Sequence, residues 1–313
     1  MLGYALRRVL MAIPVLGIVS VIVFGLLYLT PGDPALVMAG DQATPEDVQH
    51  IRVALQLDQP PLARFGHWIG NVLHGDLGQS IFTGQPVAGM IGQRLEPTLS
   101  VLALSVLISV CFGVGLGVFA ANRQGGVIDR ALSVFVTASY SLPVFVAGYI
   151  LAYVFASRLH WLPVAGFSPL GDGVVDYLRS LLLPSLTLSV IYSALIAAVT
   201  RTAMLEALAQ DYIRTAAAKG ASRARILFGH ALKNASPPIV TIIGGGIASL
   251  IGGAVVIETV FAIPGIGGMT VDAILHRDYP IIQAVVLLSS SSYVLVNLGV
   301  DLCYALLDPR IRY

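Results

Sequence analysis

The chain has 313 residues, 56% of them hydrophobic and 11% charged, against about a quarter charged in an ordinary soluble domain. With a mean hydropathy of +0.83, this composition excludes a soluble globule. A formal net charge of +1 gives no basic field of the kind nucleic-acid binding uses, and two cysteines in apolar runs, Cys111 and Cys303, make neither a disulfide scaffold nor a CxxC metal site.

A helix of about 20 apolar residues crosses the roughly 30 Å hydrocarbon core of a bilayer. Uncharged runs of that length occupy 9–29, 98–121, 131–157, 180–200, 234–257 and 279–300. They predict an all-α membrane protein with six transmembrane helices. The first run exceeds the apolar region of a signal peptide, and Pro31-Gly32-Asp33-Pro34 beyond it carries no small-residue cleavage pattern, so it is expected to remain as a helix.

Between the first two runs, residues 30–97 are too many for a simple connection and predict a small extracytoplasmic subdomain. Thr44-Pro45-Glu46-Asp47 reads as a helix start, with Thr44 as N-cap, Pro45 in the first helical position and acids in the first turn. That helix should run to about Leu57. A second amphipathic stretch, 62–73, places Phe65, Trp68, Ile69 and Leu73 on one face. The chain thus divides into 1–97, the first transmembrane helix with its subdomain, and 98–313, a core of five transmembrane helices.

Orientation follows from the basic residues. The N-terminus, the 123–130 loop, the 201–233 loop and the C-terminal tail hold 12 of the 18 Lys and Arg, while the three alternate loops hold 6 of them and 12 of the 17 acids. Both termini are therefore expected on the cytoplasmic side.

Residues 201–233 form the most informative loop. Met204, Leu205, Leu208, Tyr212 and Ile213 follow helical spacing into Ala216-Ala217-Ala218, and Lys219-Gly220 supplies a stop. Ser222 can cap a second helix carrying Ile226, Leu227, Ala231 and Leu232. The pattern predicts a helix, a tight glycine turn and another helix. Its small-residue face, Ala216, Ala217 and Gly220, ringed by Arg214, Lys219, Arg223 and Arg225, suits close approach by another protein. The same pattern also suits a loop held by its own bundle, with the cations serving orientation.

Catalytic signatures are missing. Neither lysine, Lys219 or Lys233, is followed by Ser or Thr, so there is no GxxxxGK[ST] phosphate loop, and neither HExxH nor GxSxG occurs. The six histidines are scattered, and no metal site is expected. Asp301 is the one charge within an apolar run that an ion-coupled pump could use; its place near the helix end suits a structural partner for an arginine better. Helix-breaking residues are frequent: Pro143, Pro184, Pro237-Pro238 and Gly244-Gly245-Gly246. Freed backbone groups are tolerated only where protein or a cavity satisfies them, which fits a substrate path. Gly113 and Gly117 have the spacing of close helix packing.

Several ordered motifs are familiar. They are Tyr4 to Arg8, Thr30-Pro31-Gly32-Asp33-Pro34, Leu55-Gln56-Leu57-Asp58-Gln59-Pro60, Gly75-Asp76-Leu77-Gly78-Gln79-Ser80, and Tyr212 to Gly220 with His230 to Ala235. Glu258-Thr259-Val260-Phe261 before Pro264-Gly265-Ile266-Gly267, and Asp308-Pro309-Arg310-Ile311-Arg312-Tyr313, complete the set. Together they resemble, over nearly the whole chain, the type I ABC importer permeases of the dipeptide, oligopeptide and nickel uptake family, specifically the B-type subunit.

The resemblance implies a non-catalytic permease of the bacterial inner membrane that forms half of a translocation path, for di- or oligopeptides. Nickel or glutathione importers share the architecture, and a proton-coupled transporter using Asp301 is the alternative from another class. The 201–233 loop resembles the EAA coupling helix that inserts into a groove of an ATPase subunit. Ala216 and Gly220 match its second alanine and its glycine; Arg214, Thr215 and Leu232-Lys233 depart from the general signature. The candidate coupling residues are Arg214, Thr215, Ala216, Lys219, Gly220, Ala221, Ile226 and His230. Candidates for the path are Tyr140, Pro143, Pro184, Gly244, Gly245 and Glu258. Implied partners are a second, homologous permease, two ATPase subunits that bind ATP and Mg, an extracytoplasmic binding protein and membrane lipid, with no cofactor in this chain.

Overall fold

The computed structural model describes residues 2–29, 33–40 and 43–307; the Thr30-Pro31-Gly32 motif and the 308–313 ending lie outside them. Twelve α-helices are present among these residues: α1 (Leu2–Leu29), α2 (Pro34–Ala39), α3 (Pro45–Ala54), α4 (Pro61–Leu73), α5 (Val87–Asn122), α6 (Val127–Ser141), α7 (Val144–Leu151), α8 (Val174–Leu208), α9 (Asp211–Ala218), α10 (Leu232–Val260), α11 (Ile266–Leu275) and α12 (Tyr279–Leu307). Wider π-type turns extend α7 over Ala152–Arg158 and precede α10 over Arg225–Ala231. A lone bridge between Gln79 and Pro86 is the only β pairing among the described residues.

Five helical stretches are long and apolar enough to cross a membrane, and a sixth arises if α6 and the α7 stretch count as one bent span. The run over 131–157, in which Pro143 is expected to interrupt regular helix, is two helices at 107° to each other. Pro143 is the cause. It disfavours helical backbone at the residue before it, and Leu142 is extended with φ −103° and ψ 123°. Pro184 and Pro237-Pro238, by contrast, lie inside unbroken helices. Pro237 leaves the Lys233 carbonyl without its helical donor, and the Ser236 hydroxyl donates to that carbonyl at 2.8 Å.

The residues cluster into two units. One consists of Pro97–Ile263 with the described part of Val296–Tyr313. At its centre is α8, against which α6, α7 and α10 pack. Small side chains such as Ser185, Ser189, Ala194 and Ala197 are buried along it. Small residues are what lets helix backbones approach where lipid removes the hydrophobic drive for association. Gly113 and Gly117 on α5 meet α8 in that way: a Cβ on Gly113 would stand 2.9 Å from the Ser193 carbonyl oxygen, and one on Gly117 would stand 2.7 Å from that of Ala197.

The other unit consists of Leu2–Glu96 and Pro264–Leu295. The Phe24 ring of α1 meets Phe65 and Trp68 of α4, with centroids at 5.4 and 5.8 Å, so two of the four residues expected on the apolar face are in contact. Leu73 is exposed instead, while Arg64 is buried with its guanidinium over Phe24. Elsewhere in the unit, the buried Ser80 hydroxyl donates to the buried Asp278 carboxylate at 2.5 Å, and Gly78, at φ +82°, donates its N–H to Asp76 Oδ1.

α3 ends at Ala54 rather than near Leu57, and its start is a capping box between Thr44 and Asp47. The Thr44 hydroxyl and N–H both donate to Asp47, at 2.7 and 2.9 Å, and hold its carboxyl below the ordinary carboxylate range. A depressed folded-state value means that the stabilisation is present at neutral pH and is lost as pH falls through it. Amide-exchange protection of α3, corrected for intrinsic rates, should therefore fall on acidification below about pH 4. Thr44→Val, which removes the hydroxyl and keeps the backbone N–H, should weaken that dependence.

Candidate functional site

At the end of α8 the chain passes through Ala209 and Gln210 into α9, so the run expected to be continuous from Met204 to Ala218 is two helices. α9 is closed by a Schellman turn. Gly220 takes φ +78°, its N–H donates to the Ala217 carbonyl at 2.9 Å, and the Ala221 N–H donates to that of Ala216 at 3.1 Å. These two bonds satisfy carbonyls that the helix end leaves free. The left-handed backbone explains the glycine, because a Cβ there costs roughly 1 kcal/mol or more. Ser222 then caps the next helix, its hydroxyl accepting from the Arg225 N–H at 3.4 Å.

The resulting elbow is bolted on by apolar side chains. Ile213, Ile226 and Leu227 are buried with Met204 and Ala207 of α8 and with Val118 and Ala121 of α5. Its outer surface is small and cationic. Arg214, Thr215, Lys219 and Gly220 are exposed, Ala216, Ala221 and His230 half-buried, and no atom lies within 4 Å of where a Gly220 Cβ would stand. Ile226, grouped with the coupling residues on sequence, is thus part of the mount. The exposed Asp211–Arg214 pair, 3.5 Å apart, adds little to stability.

The residues proposed for a path differ in exposure. Tyr140, Pro143 and Gly245 are exposed, whereas Pro184, Gly244 and Glu258 are buried. Glu258 is 1% exposed and accepts from the Thr98 hydroxyl at 2.6 Å. Gly244 is a packing glycine: a Cβ there would stand 2.0 Å from a Val300 methyl. A cleft of about 150 Å³ between the α6–α7 bend and α8 has an apolar lining that includes Phe135, Leu142, Thr187 and Ile191.

Two polar ties escaped the sequence reading. Arg201 on α8 sends Nε to Asp129 Oδ1 and Nη2 to Oδ2, the latter at 2.9 Å, and Arg223 Nε donates to Asn122 Oδ1 at 2.8 Å. Asp129 was legible as the lone acid among the cations of its loop. Its partner, 72 residues on, was not.

Five long apolar helices and a bent apolar helix pair define a multi-pass integral membrane protein. Residues 113–313 match the family model described as "Binding-protein-dependent transport system inner membrane component", and residues 1–103 match that of the corresponding N-terminal region. The chain belongs to this family. It is a type I ABC importer permease of the dipeptide, oligopeptide and nickel class, a multi-pass protein of the bacterial inner membrane that is itself non-catalytic and works with other ABC components.

Among its relatives, "Probable peptide ABC transporter permease protein y4tP" of Sinorhizobium fredii is 54% identical over 310 residues, 99% of each chain. "Glutathione transport system permease protein GsiC" of Escherichia coli K12 is 41% identical over 313 residues, the whole of both. In fold the chain is similar to one in the MetNI methionine ABC transporter in an inward-facing conformation. The TM-score is 0.58 at 18% identity, with 70% of this chain and 96% of that one covered.

Proposed function

We propose that this permease forms half of a translocation path for di- or oligopeptides, paired with a second, homologous permease. Its elbow docks one of two ATPase subunits, which bind ATP and Mg and hydrolyse the nucleotide, while the chain itself needs no cofactor. An extracytoplasmic binding protein delivers the substrate. Closure of the ATPases on ATP would pull the elbows and turn the permease pair from inward-facing to outward-facing. The observation that carries this reading is the elbow, with its Schellman-closed tip, its exposed small residues and cations, and its apolar mount on α5 and α8. Relatives named for peptide and glutathione transport support a peptide cargo, since glutathione is itself a tripeptide. The 12 to 6 division of basic residues supports cytoplasmic termini and a cytoplasmic elbow.

Two measurements test the proposal. In intact cells, with Cys111 and Cys303 replaced by serine, Glu46→Cys should react with an impermeant maleimide and Ser222→Cys should not. Labelling of both would overturn the topology. Uptake of a radiolabelled dipeptide should stop on ATP depletion and survive collapse of the proton gradient. The opposite pattern, abolished by Asp301→Asn, would establish the proton-coupled alternative.

A further inference from the structure

Between α5 and α6 the chain turns in four residues, Arg123 to Gly126, closed by the Gly126 N–H on the Arg123 carbonyl at 2.9 Å. This turn is anchored at both ends. On the α6 side, Asp129, 6% exposed, accepts the forked guanidinium of Arg201 from α8 and, on Oδ2, the Gly125 N–H at 2.8 Å. On the α5 side, Asn122 accepts from Arg223, which opens the second arm of the elbow. Both arginines flank α9 in sequence. The turn is therefore tied directly to the second arm of the elbow by Arg223, and by Arg201 to the stretch of α8 that leads into the elbow.

A two-pronged guanidinium–carboxylate contact fixes orientation as well as distance. Such a contact suits transmission of a displacement with a set direction, whereas apolar attraction is non-directional. Stability alone does not require it, because the Arg201 side chain keeps 29% of its surface exposed and an ion pair open to solvent contributes only about 0–1 kcal/mol. We propose that Asp129 and Arg201, with Asn122 and Arg223, are positioning residues that carry the nucleotide-driven movement of the elbow to the α5–α6 turn. The inference rests on the elbow being the ATPase-coupling element, and its test separates the two.

The test uses the complete transporter in nanodiscs, with Cys111 and Cys303 replaced by serine and a single reporter, Gln124→Cys in the turn or Ser222→Cys in the elbow, both at exposed positions. Maleimide labelling rates are compared without nucleotide and with ATP plus orthovanadate. In the otherwise unaltered protein both reporters should change rate by at least about fivefold, the lower end of ordinary coupling between sites. With Asp129→Leu and Arg201→Met together, the change at 124 should vanish while that at 222 persists. A purely structural role predicts that both persist. Should the apolar pair fail to assemble, Asn122→Ala decides, since it removes the Arg223 contact without altering the elbow: it should at least halve the response at 124 and leave that at 222 intact. A turn that never responds, or that responds equally in the variants, overturns the proposal. A silent reporter at 222 overturns it too, and shows that the failure lies with the coupling role of the elbow.

Discussion

Replacing Gly220 with tryptophan should yield a permease that inserts and pairs normally but no longer holds its ATPase subunits. Gly220 is exposed, and beyond its chain neighbours nothing lies within 4 Å of the Cβ position. The intramolecular cost at that Cβ is the left-handed backbone, roughly 1 kcal/mol. The Schellman bonds of Ala217 and Ala216 can adjust outside the bilayer without disturbing α8 or α10. A partner resting on the elbow would instead meet an indole where it had met a hydrogen atom, and overpacking of a fitted contact costs about 1–3 kcal/mol. Each 1.4 kcal/mol is tenfold in affinity, so co-purified ATPase should fall by about tenfold or more, and uptake with it. Gly220→Ala pays the backbone cost without the bulk and should keep most of its ATPase. If the tryptophan variant retains its ATPases and transports normally, the elbow is not the coupling element.

Gly117→Leu should have the opposite signature, a failure of the permease itself. A Cβ at Gly117 would lie 2.6 Å from the Thr200 Cβ and 2.7 Å from the Ala197 carbonyl oxygen. Both belong to the closely packed face of α8, so relief requires α5 and α8 to separate. The loss should reach about 3 kcal/mol, the upper end for overpacked sites, seen as low membrane abundance and a lowered melting temperature in detergent. Gly115, two residues earlier on the same helix, has no atom within 4 Å of its Cβ position. Gly115→Leu should therefore accumulate normally. Equal behaviour of the two variants would show that α5 does not pack on α8 through its glycines.

These two glycines were legible in the sequence to different depths. Gly220 follows a run of helix formers and a lysine, and its role as a stop is settled within six residues by a local hydrogen-bond pattern. The spacing of Gly113 and Gly117 announced close packing without naming the helix against which they pack. The prolines divide in the same way. All were visible as possible breaks, yet only Pro143 breaks its helix, while at Pro237 a neighbouring serine satisfies the freed carbonyl.

What the sequence determined by itself is whatever depends on near neighbours and on the solvent. Hydropathy over about 20 residues marked the apolar helices, because a bilayer selects each helix separately by length and apolarity. The Thr44 capping box, the amphipathic α4 and the Schellman stop at Gly220 are likewise contacts within one or two turns. Only the tertiary structure decided which distant residues meet. It joined Asp129 to Arg201 across 72 positions and Thr98 to Glu258 across 160, turned Ile226 inward as a mount, and placed Gly244 against Val300. In the long membrane-crossing helices, which are apolar on nearly every face, hydropathy no longer marks the buried side. Helix pairing is then set by small-residue fit and by polar groups that must find partners, and these are properties of two segments together.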